Sequence, residues 1–277
     1  MADQKQPLTL AQGVYAALAT PRRPDSLESD TAALLDYLDV VASAGVDGFV
    51  LFGSTGEFVH FGIEERMRAA ALAIKRSRVP VLVNVSHSTL AGAVAIAENA
   101  AEADASGVLL SPPSFYRYHD DQLFEFYEQF RRQIAEEMPV YLYNLPMFVS
   151  AITPALAERL LLTGKYAGIK ESSGDWAYFE ALRKVRGKVP FQILMGNEAL
   201  YVRGRSAGAD GTISGVAAAL PELIVAIERA LKAADETLAQ ALERRLSEFL
   251  QYVEKFPSTV AIRQAGVVRG WKLDHLA

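Results

Sequence analysis

A lysine occupies a stretch whose neighbours predict a buried strand, "YAGIKESSGD" at residues 166–175. Lysine is seldom fully buried, because removing an ammonium group from water is costly. Side chains alternate across a strand, so Lys170 and Ser172 share one face. Burial among apolar groups favours the neutral amine, the nucleophile that forms a Schiff base with a ketone. The stretch fits a reactive lysine and, equally, a structural lysine paired with a carboxylate such as Glu57 or Glu198.

A second segment offers groups suited to binding an anion. The stretch "LFGSTGE" (51–57) provides consecutive amides around Gly53 and the hydroxyls of Ser54 and Thr55, and we expect it to end a strand and open a helix. It lacks the Gly-Lys-Ser/Thr ending of a phosphate loop, so a carboxylate is the better-matched anion. A tight turn that needs glycine explains the short motif equally well.

A third segment, "YLYNLP" (141–146), carries two tyrosines on one face of a predicted strand. Tyr143 would be nearer the C-terminal end of that strand than Tyr141. A phenol in that position could pass protons to and from a substrate, as general acid–base chemistry requires. The alternative is an aromatic side chain that fills the protein interior with a satisfied hydroxyl.

The elements that must position these groups follow a regular alternation. Eight apolar runs of about strand length alternate with segments of helical period, and their starts recur every 20 to 35 residues; the runs are 13–21, 46–54, 79–87, 106–113, 138–146, 166–173, 189–197 and 209–217. Eight such units predict a (β/α)₈ TIM barrel, whose chemistry takes place at the C-terminal ends of its strands. A doubly wound open sheet is the rival, but the glycine-rich turn expected after its first strand is missing.

Helix boundaries and a C-terminal extension can also be predicted. Ser26 or Ser29 is the expected N-cap of the first helix, Gly45 its stop, and Thr153–Pro154 the start of another helix. We expect residues 1–219 to form the barrel. Residues 220–277 would add the last barrel helix and a C-terminal helical extension in the same domain. One helix of that extension should pack on the barrel or on a second subunit through Leu238, Leu242, Leu246, Leu250 and Val253.

Composition narrows the possible partners and location. The 277 residues carry a net charge of −5 with both signs interspersed, so we expect neither a nucleic-acid nor a membrane partner. There is no cysteine, which excludes disulfides and thiol catalysis. The N-terminus lacks the apolar core of a signal peptide, and three aspartates interrupt the most apolar early region, so we expect a cytoplasmic protein without a spanning helix. Those aspartates are Asp36, Asp39 and Asp47.

The histidines do not suggest a metal site. They are scattered without the spacing of metal ligands, at His60, His87, His119 and His275. His119 precedes "DD" and is better interpreted as the start of a surface helix than as a ligand.

Together, "GSTGE", "YNLP" and "GIKESSGD" resemble the dihydrodipicolinate synthase/N-acetylneuraminate lyase family, in this order and at these strand ends. The resemblance runs from Gly13 to about Ala217 and more loosely to the C-terminus. It implies a (β/α)₈ barrel, usually a homotetramer built as a dimer of dimers. It also implies a class I mechanism, in which a lysine forms a Schiff base with pyruvate or another 2-oxo acid. Neither a metal nor an organic cofactor is needed, since the imine stabilises the carbanion.

The resemblance also assigns roles to individual positions. Lys170 matches the Schiff-base lysine and Tyr143 the proton-relaying tyrosine. Ser54 and Thr55 match the pair that binds the pyruvyl carboxylate, and Ile213 in "GTISG" matches the residue whose backbone lines the pyruvyl site.

In many family members a tyrosine after the fourth strand enters the active site of the neighbouring subunit. The stretch "SPPSFYRYHDD" offers Tyr116 for that role, with Tyr118 as the alternative.

Two positions bear on the substrate. Phe148 stands where the synthases carry an arginine that grips the aldehyde's carboxylate. Losing that bidentate donor should cost about 2–5 kcal/mol for an anionic substrate, which disfavours 4-hydroxy-tetrahydrodipicolinate synthase activity. Asn197 and Glu198 replace the "DE" pair with which the neuraminate lyases contact sugar hydroxyls, although the lyases' serine in the eighth-strand loop is Gly215 here. Phe148 alternatively suits a hydrophobic or aromatic aldehyde.

The reaction that we expect is reversible aldol cleavage of a 2-oxo acid to pyruvate and an aldehyde. A 2-keto-3-deoxy sugar acid is one candidate substrate. The alternatives are a dehydratase of a 3-deoxy-2-oxo sugar acid, the synthase itself, and a barrel that binds a 2-oxo acid without turning it over.

Overall fold

The computed structural model describes residues 11–273, and within them eight parallel strands close into a barrel in chain order. Every strand lies inside one of the predicted apolar runs. The pairing of the eighth strand with the first confirms the predicted TIM barrel and excludes an open doubly wound sheet. The strands are β1 (Gly13–Ala17), β2 (Gly48–Leu51), β3 (Val81–Asn84), β4 (Gly107–Leu110), β5 (Val140–Asn144), β6 (Gly168–Glu171), β7 (Gln192–Met195) and β8 (Gly211–Ser214).

Eight helices alternate with the strands and surround the barrel: α1 (Thr31–Ser43), α2 (Ile63–Arg76), α3 (Leu90–Glu102), α4 (Asp120–Gln133), α5 (Pro154–Leu161), α6 (Trp176–Arg186), α7 (Tyr201–Ser206) and α8 (Pro221–Lys232). Two further helices, α9 (Glu236–Val253) and α10 (Ser258–Val268), form the predicted C-terminal extension.

The barrel interior is closed towards the N-terminal ends of its strands. Buried apolar side chains from several strands fill it, including Tyr15, Val50, Leu82, Leu109 and Leu194. The hydroxyl of Tyr141 accepts a hydrogen bond from the backbone of Ala11 at 2.9 Å and donates to Oε1 of Gln192 at 2.9 Å. Burial raises the pKa of this phenol to about 12. Any cavity in the barrel must therefore open at the opposite end.

The helix ends confirm some predictions and correct one. Thr153 caps α5 with Pro154 in its first turn, and Gly45 follows α1 with a φ of 89°, both as predicted. The N-cap of α1 is Asp30, however, whose carboxylate accepts from the backbone of Ala33 at 2.9 Å. The prediction of Ser26 or Ser29 was wrong because aspartate caps helices as well as serine does.

The apolar stripe of α9 is shifted from its predicted position. Leu246 is buried, and Leu242 and Leu250 pack against the core from half-buried positions. Leu238 is 46% exposed, whereas the neighbouring Ala239 is buried. A small alanine allows a close approach at the N-terminal end of α9, where this helix packs on α8.

Other predictions concern the surface and the chain ends. His119 is the N-cap of α4, as predicted, and its backbone donates to Oε1 of Gln122 at 3.0 Å. No helix within residues 11–273 is long and apolar enough to cross a membrane. The same residues contain no group of three or more histidines and carboxylates that could hold a metal ion. Residues 1–10, on which the signal-peptide expectation depends, and His275 lie outside the described residues.

Candidate active site

Lys170 and Tyr143 face each other at paired positions of β6 and β5. Both side chains are buried, and Lys170 is only 4% exposed. Nζ of Lys170 lies 3.1 Å from the hydroxyl oxygen of Tyr143 and 4.2 Å from the centre of its ring. Because the strand register places the two Cα atoms opposite each other, the amine and the phenol meet without help from a flexible loop.

Lys170 does not pair with a carboxylate among residues 11–273. Glu57 instead forms ion pairs with Arg22 and Arg263. One oxygen of Glu198 accepts from the hydroxyl of Ser214 at 2.8 Å and from the backbone of Val216 at 3.0 Å. The alternative of a structural lysine paired with Glu57 or Glu198 is therefore wrong.

Tyr143 has a second polar partner on its other side. Its hydroxyl oxygen lies 3.0 Å from Oγ of Ser54, so Lys170, Tyr143 and Ser54 form a continuous polar chain. Tyr141, two residues earlier on the same face of β5, is the tyrosine that fills the interior with a satisfied hydroxyl. The two tyrosines of "YLYNLP" thus have different surroundings.

Ser54 and Thr55 lie in a turn rather than at the start of a helix. Glu57 adopts the left-handed conformation with a φ of 53°, which turns the chain away from a helical path, and α2 begins only at Ile63. Residues 51–57 therefore open a short 3₁₀ helix at Phe58–His60, as the sequence predicted for a helix, but the α-helix begins six residues after Glu57. Gly56 is required sterically, because an added Cβ would lie 3.0 Å from both the carbonyl oxygen of Leu18 and Cα of Phe52.

The turn is anchored by buried ion pairs. Arg263 of α10 is fully buried and donates to Oε2 of Glu57 from Nη2 at 2.7 Å and from Nε at 3.1 Å. The same guanidinium donates to the carbonyl oxygen of Thr20 at 2.6 Å. The C-terminal extension is therefore tied to the turn that carries Ser54 and Thr55.

A polar pair outside the barrel fixes the loops that follow Tyr143 and Lys170. Nδ2 of Asn144 donates to Oε2 of Glu171 at 2.7 Å, and its Oδ1 accepts from the backbone of Ile152 at 3.0 Å. The other oxygen of Glu171 accepts from the backbone of Ser173 at 2.5 Å. Burial raises the pKa of Glu171 despite these hydrogen bonds. We did not predict this pair, although the motifs "YN" and "KE" place both residues on the face opposite the amine and phenol.

A cavity of about 310 Å³ opens at the C-terminal ends of the strands. It brings together eight residues that the sequence analysis selected: Ser54, Thr55, Tyr143, Phe148, Lys170, Asn197, Glu198 and Ile213. Gly53 lies beside them but does not line the cavity. Tyr116 is also outside the cavity of its own chain, 66% exposed and in edge contact with Phe115. Tyr118 is half-buried, and its backbone donates to Oγ of Ser150 at 2.9 Å.

Two cavity residues that we did not select lie beside the lysine. The hydroxyl of Ser172 is buried and has no hydrogen-bond partner within residues 11–273. A Cβ added to Gly196 would lie 2.0 Å from Oγ of Ser172 and 3.0 Å from Cε of Lys170. Gly196 thus leaves space next to the amine, and the Ser172 hydroxyl is available to a bound molecule. Strand alternation, which places Ser172 on the face of Lys170, was the signal for this serine.

The C-terminal extension forms part of the cavity mouth. It contributes Leu250, Val253, Glu254, Thr259 and Ile262 to the lining. The sequence pattern indicated that α9 packs on something, but it gave no indication of which end of the barrel α9 and α10 would cover.

The eighth-strand loop lies directly against the hydroxyl of Thr55. A Cβ on Gly215 would lie 2.9 Å from Oγ1 of Thr55, closer than ordinary contact. The absence of a side chain at Gly215 therefore leaves space for the Thr55 hydroxyl.

Comparison with known proteins places this geometry in context. The family model of the dihydrodipicolinate synthetase family matches residues 10–276. A 4-hydroxy-tetrahydrodipicolinate synthase of Methanothrix thermoacetophila is 29% identical over 267 residues, which cover 94% of this chain and 88% of the relative. YagE of Escherichia coli K12, provisionally named a 2-dehydro-3-deoxy-D-gluconate aldolase, is 30% identical over 247 residues, covering 87% and 80%. The crystal structure of YagE in complex with pyruvate superposes with a TM-score of 0.89 at 27% identity, covering 95% of this chain and 90% of YagE.

Proposed function

This chain belongs to the dihydrodipicolinate synthetase family, and on that basis we propose that it cleaves a 2-oxo acid reversibly to pyruvate and an aldehyde through a Schiff base on Lys170. The observation that carries the proposal is the environment of that amine. Nζ of Lys170 is buried, pairs with no carboxylate among the described residues and lies 3.1 Å from a phenol. An unpaired buried amine is the nucleophile that imine formation requires.

In the proposed reaction, the Lys170 amine attacks the ketone carbon of the substrate, and water leaves to give the imine. Tyr143 takes the proton from the C4 hydroxyl as the C3–C4 bond breaks, which releases the aldehyde. The electron pair of that bond moves into the imine to give an enamine, which is then protonated at C3. Hydrolysis of the resulting imine returns the free amine and pyruvate. The direct contact between the Tyr143 hydroxyl and the lysine amine supports this role.

Ser54 and Thr55 are proposed to bind the carboxylate of the oxo acid. Both hydroxyls belong to the turn after β2 and line the same cavity as the amine. Lys170 is the one cationic side chain among the lining residues in the described part of the chain, so neutral donors must hold the anion. Ile213, buried in β8, would complete the wall around the pyruvyl group.

The synthase reaction fits this cavity less well than aldol cleavage does. Phe148, 60% exposed at the cavity mouth, stands where an anionic aldehyde would require a cation. The crystal structure of YagE contains pyruvate, and YagE's provisional name is that of a sugar-acid aldolase. Both relationships support aldol chemistry on pyruvate for this chain.

We also propose that the chain forms a homotetramer in which Tyr116 reaches the active site of a neighbouring subunit. The proposal derives from the family resemblance, and the exposure of the Phe115–Tyr116 pair supports it. An exposed aromatic pair is typical of a surface that another chain covers.

Exchange of the methyl protons of pyruvate tests the proposed function without knowledge of the aldehyde. Formation of the imine and enamine should replace these protons with deuterium in D₂O, which NMR detects, and Lys170→Met should abolish the exchange. Wild-type protein that catalyses no exchange would refute the proposal. Exchange without turnover of any aldehyde or oxo acid would indicate a binding barrel. Product analysis identifies a dehydratase, which releases no free pyruvate, and a coupled assay with aspartate semialdehyde identifies a synthase.

A further inference from the structure

The two polar residues that could recognise a sugar chain each have one oxygen engaged within the protein. Oδ1 of Asn197 accepts from the backbone of Ala199 at 3.0 Å and caps the short 3₁₀ turn that follows β7. Oε1 of Glu198 accepts from Ser214 and Val216. A sugar hydroxyl that loses water needs a free partner in return, and these two oxygens are already satisfied. This leaves Nδ2 of Asn197 and Oε2 of Glu198 as the polar atoms of the pair that could bind a ligand.

One buried hydroxyl in the cavity does remain available. Oγ of Ser172 lacks a partner among residues 11–273 and lies beside the Lys170 side chain. A single hydroxyl next to the reacting amine suffices for the carbonyl oxygen of an aldehyde. It does not suffice for a chain of several hydroxyl groups.

The wall between the lysine and the cavity mouth is apolar. Side chains from three separate segments converge there: Leu145 and Phe148 from the loop after β5, Leu250 and Val253 from α9, and Ile262 from α10. Phe148 and its neighbour Met147 are 60% and 70% exposed. An apolar ligand that covered these side chains would remove their surface from water and so gain hydrophobic free energy.

A second cavity continues this apolar surface. It measures about 500 Å³ and shares Ser54, Tyr143, Leu145, Phe148 and Thr259 with the first cavity. Half of its remaining lining is apolar, contributed by Phe58, Val59, Val149 and Pro257, and the other half is polar, contributed by Glu57, His60, Ser111 and Ser114. The space beyond Tyr143 can therefore hold an apolar group larger than the first cavity alone would admit.

We infer that the aldehyde partner of pyruvate carries an apolar chain or ring on its carbonyl carbon, rather than a polyol or a carboxylate. The inference rests on the proposed function and specifies its acceptor. The substrate in the cleavage direction is then a 4-hydroxy-2-oxo acid with an apolar tail. The exposed carboxylate of Glu254 at the mouth further disfavours an anionic acceptor.

A matched pair of aldehydes tests the inference on the unmodified enzyme. 2-Methylbutanal has a methyl group in place of each hydroxyl of glyceraldehyde, so the two differ in polarity at similar size. With pyruvate as donor, we expect kcat/KM for condensation to favour 2-methylbutanal by about ten- to a hundredfold. An equal or opposite preference, or no condensation of 2-methylbutanal by protein that exchanges pyruvate protons, would overturn the inference. Because pyruvate exchange needs no aldehyde, its absence would instead refute the proposed function.

Variants of the wall supply an independent measurement. Val253→Thr adds a hydroxyl at nearly constant volume and should lower the ratio of the two kcat/KM values by about fourfold, the effect of one methylene. Phe148→Ser should lower it by about tenfold or more. Val268→Thr is the control, because it makes the same valine-to-threonine change on an exposed residue outside both cavities. It should leave the ratio of the two kcat/KM values unchanged. If Val253→Thr and Phe148→Ser both keep the wild-type ratio, these side chains do not select the aldehyde, and the inference is overturned.

Discussion

The hydroxyl oxygen of Tyr143 lies 3.1 Å from Nζ of Lys170, across paired positions of two neighbouring barrel strands. The same oxygen lies 3.0 Å from Oγ of Ser54. A proton can therefore pass between the nucleophile, the phenol and the proposed carboxylate site over hydrogen-bond distances.

Removal of the phenol should separate chemistry from folding. We expect Tyr143→Phe to lower the rate of pyruvate proton exchange by about 10²–10⁴-fold, the usual contribution of a positioned acid–base group. The stability of this variant should fall by about 1–3 kcal/mol, because Lys170 and Ser54 each lose a hydrogen-bond partner. Tyr141→Phe is the matched control on the same strand and face. It leaves Gln192 and the backbone of Ala11 without a partner, so it should lower stability by about 1–3 kcal/mol while exchange continues. If both variants affect exchange equally, Tyr143 has no special role.

The hydroxyl of Thr55 should be needed to bind the oxo acid. Thr55→Val keeps the shape of the side chain and removes one donor to a carboxylate. A hydrogen bond to a charged group contributes about 1.5–3 kcal/mol, so KM for pyruvate should rise by about ten- to a hundredfold. Thr237→Val, on the exposed surface of α9, is the control and should leave KM unchanged. An unchanged KM in Thr55→Val would remove this residue from the proposed site.

The buried pair between Arg263 and Glu57 should stabilise the fold. Arg263→Met leaves the Glu57 carboxylate with the longer contact to Arg22 at 3.4 Å, so the free energy of unfolding should fall by about 3–5 kcal/mol. Arg76→Met breaks an exposed pair with Asp39 and should lower the free energy of unfolding far less, because solvent screens that pair. Urea denaturation measures the free energy of unfolding of both variants. Similar losses in the two would show that burial does not strengthen the pair between Arg263 and Glu57.

The space beside the lysine should depend on Gly196. A Cβ there would lie 2.0 Å from Oγ of Ser172, 3.0 Å from Cε of Lys170 and 3.1 Å from the backbone oxygen of Glu171. We expect Gly196→Ala to slow pyruvate exchange at least about tenfold, because the lysine must move from its position. In the control Gly53→Ala, the nearest atom to the new Cβ is 3.8 Å away, so exchange should persist near the wild-type rate. A fully active Gly196→Ala variant would show that this space is not needed.

Acid stability should depend on Glu228. Burial alone would raise the pKa of this carboxyl, but hydrogen bonds from Arg205 and Tyr201 outweigh it and hold the pKa below its ordinary value of 4.5. A carboxyl whose pKa is lowered on folding stabilises the protein above its unfolded-state pKa. That stability is lost as the pH falls through its folded-state pKa. The difference in unfolding free energy between wild type and Glu228→Gln should therefore be about 1.5–3 kcal/mol at neutral pH and shrink below about pH 4.5.

Urea midpoints measured across this pH range check the prediction. Glu248→Gln, exposed on α9, is the control and should follow the wild-type profile. A Glu228→Gln difference that stays constant with pH would show that the carboxyl does not titrate as described.

Much of the architecture could be predicted from the sequence because barrel strands are recognisable as short apolar runs. Once β5 and β6 were recognised as neighbours, the alternation of side chains was enough to bring Tyr143 and Lys170 to the same end of the interior. Local spacing could not predict partners that are distant in the chain. Arg263 contacts Glu57 across 206 positions, and the amphipathic pattern of α9 did not reveal that Leu250 and Val253 border the cavity.

The turn at residues 54–57 and the late start of α2 were not predicted, for a different reason. Its glycines and hydroxyls are typical both of a helix start and of a tight turn, and the left-handed backbone of Glu57 decided between them. Glutamate seldom adopts that conformation, and here the ion pairs with Arg22 and Arg263 hold its side chain in place.

Reduction of the imine is the most direct test of the account. Protein treated with sodium borohydride in the presence of pyruvate should carry one reduced pyruvyl group per chain, and peptide mass spectrometry should locate it on Lys170. No mass increase, or an adduct spread over surface lysines with Lys170 unmodified, would contradict the central claim that this buried amine is the nucleophile.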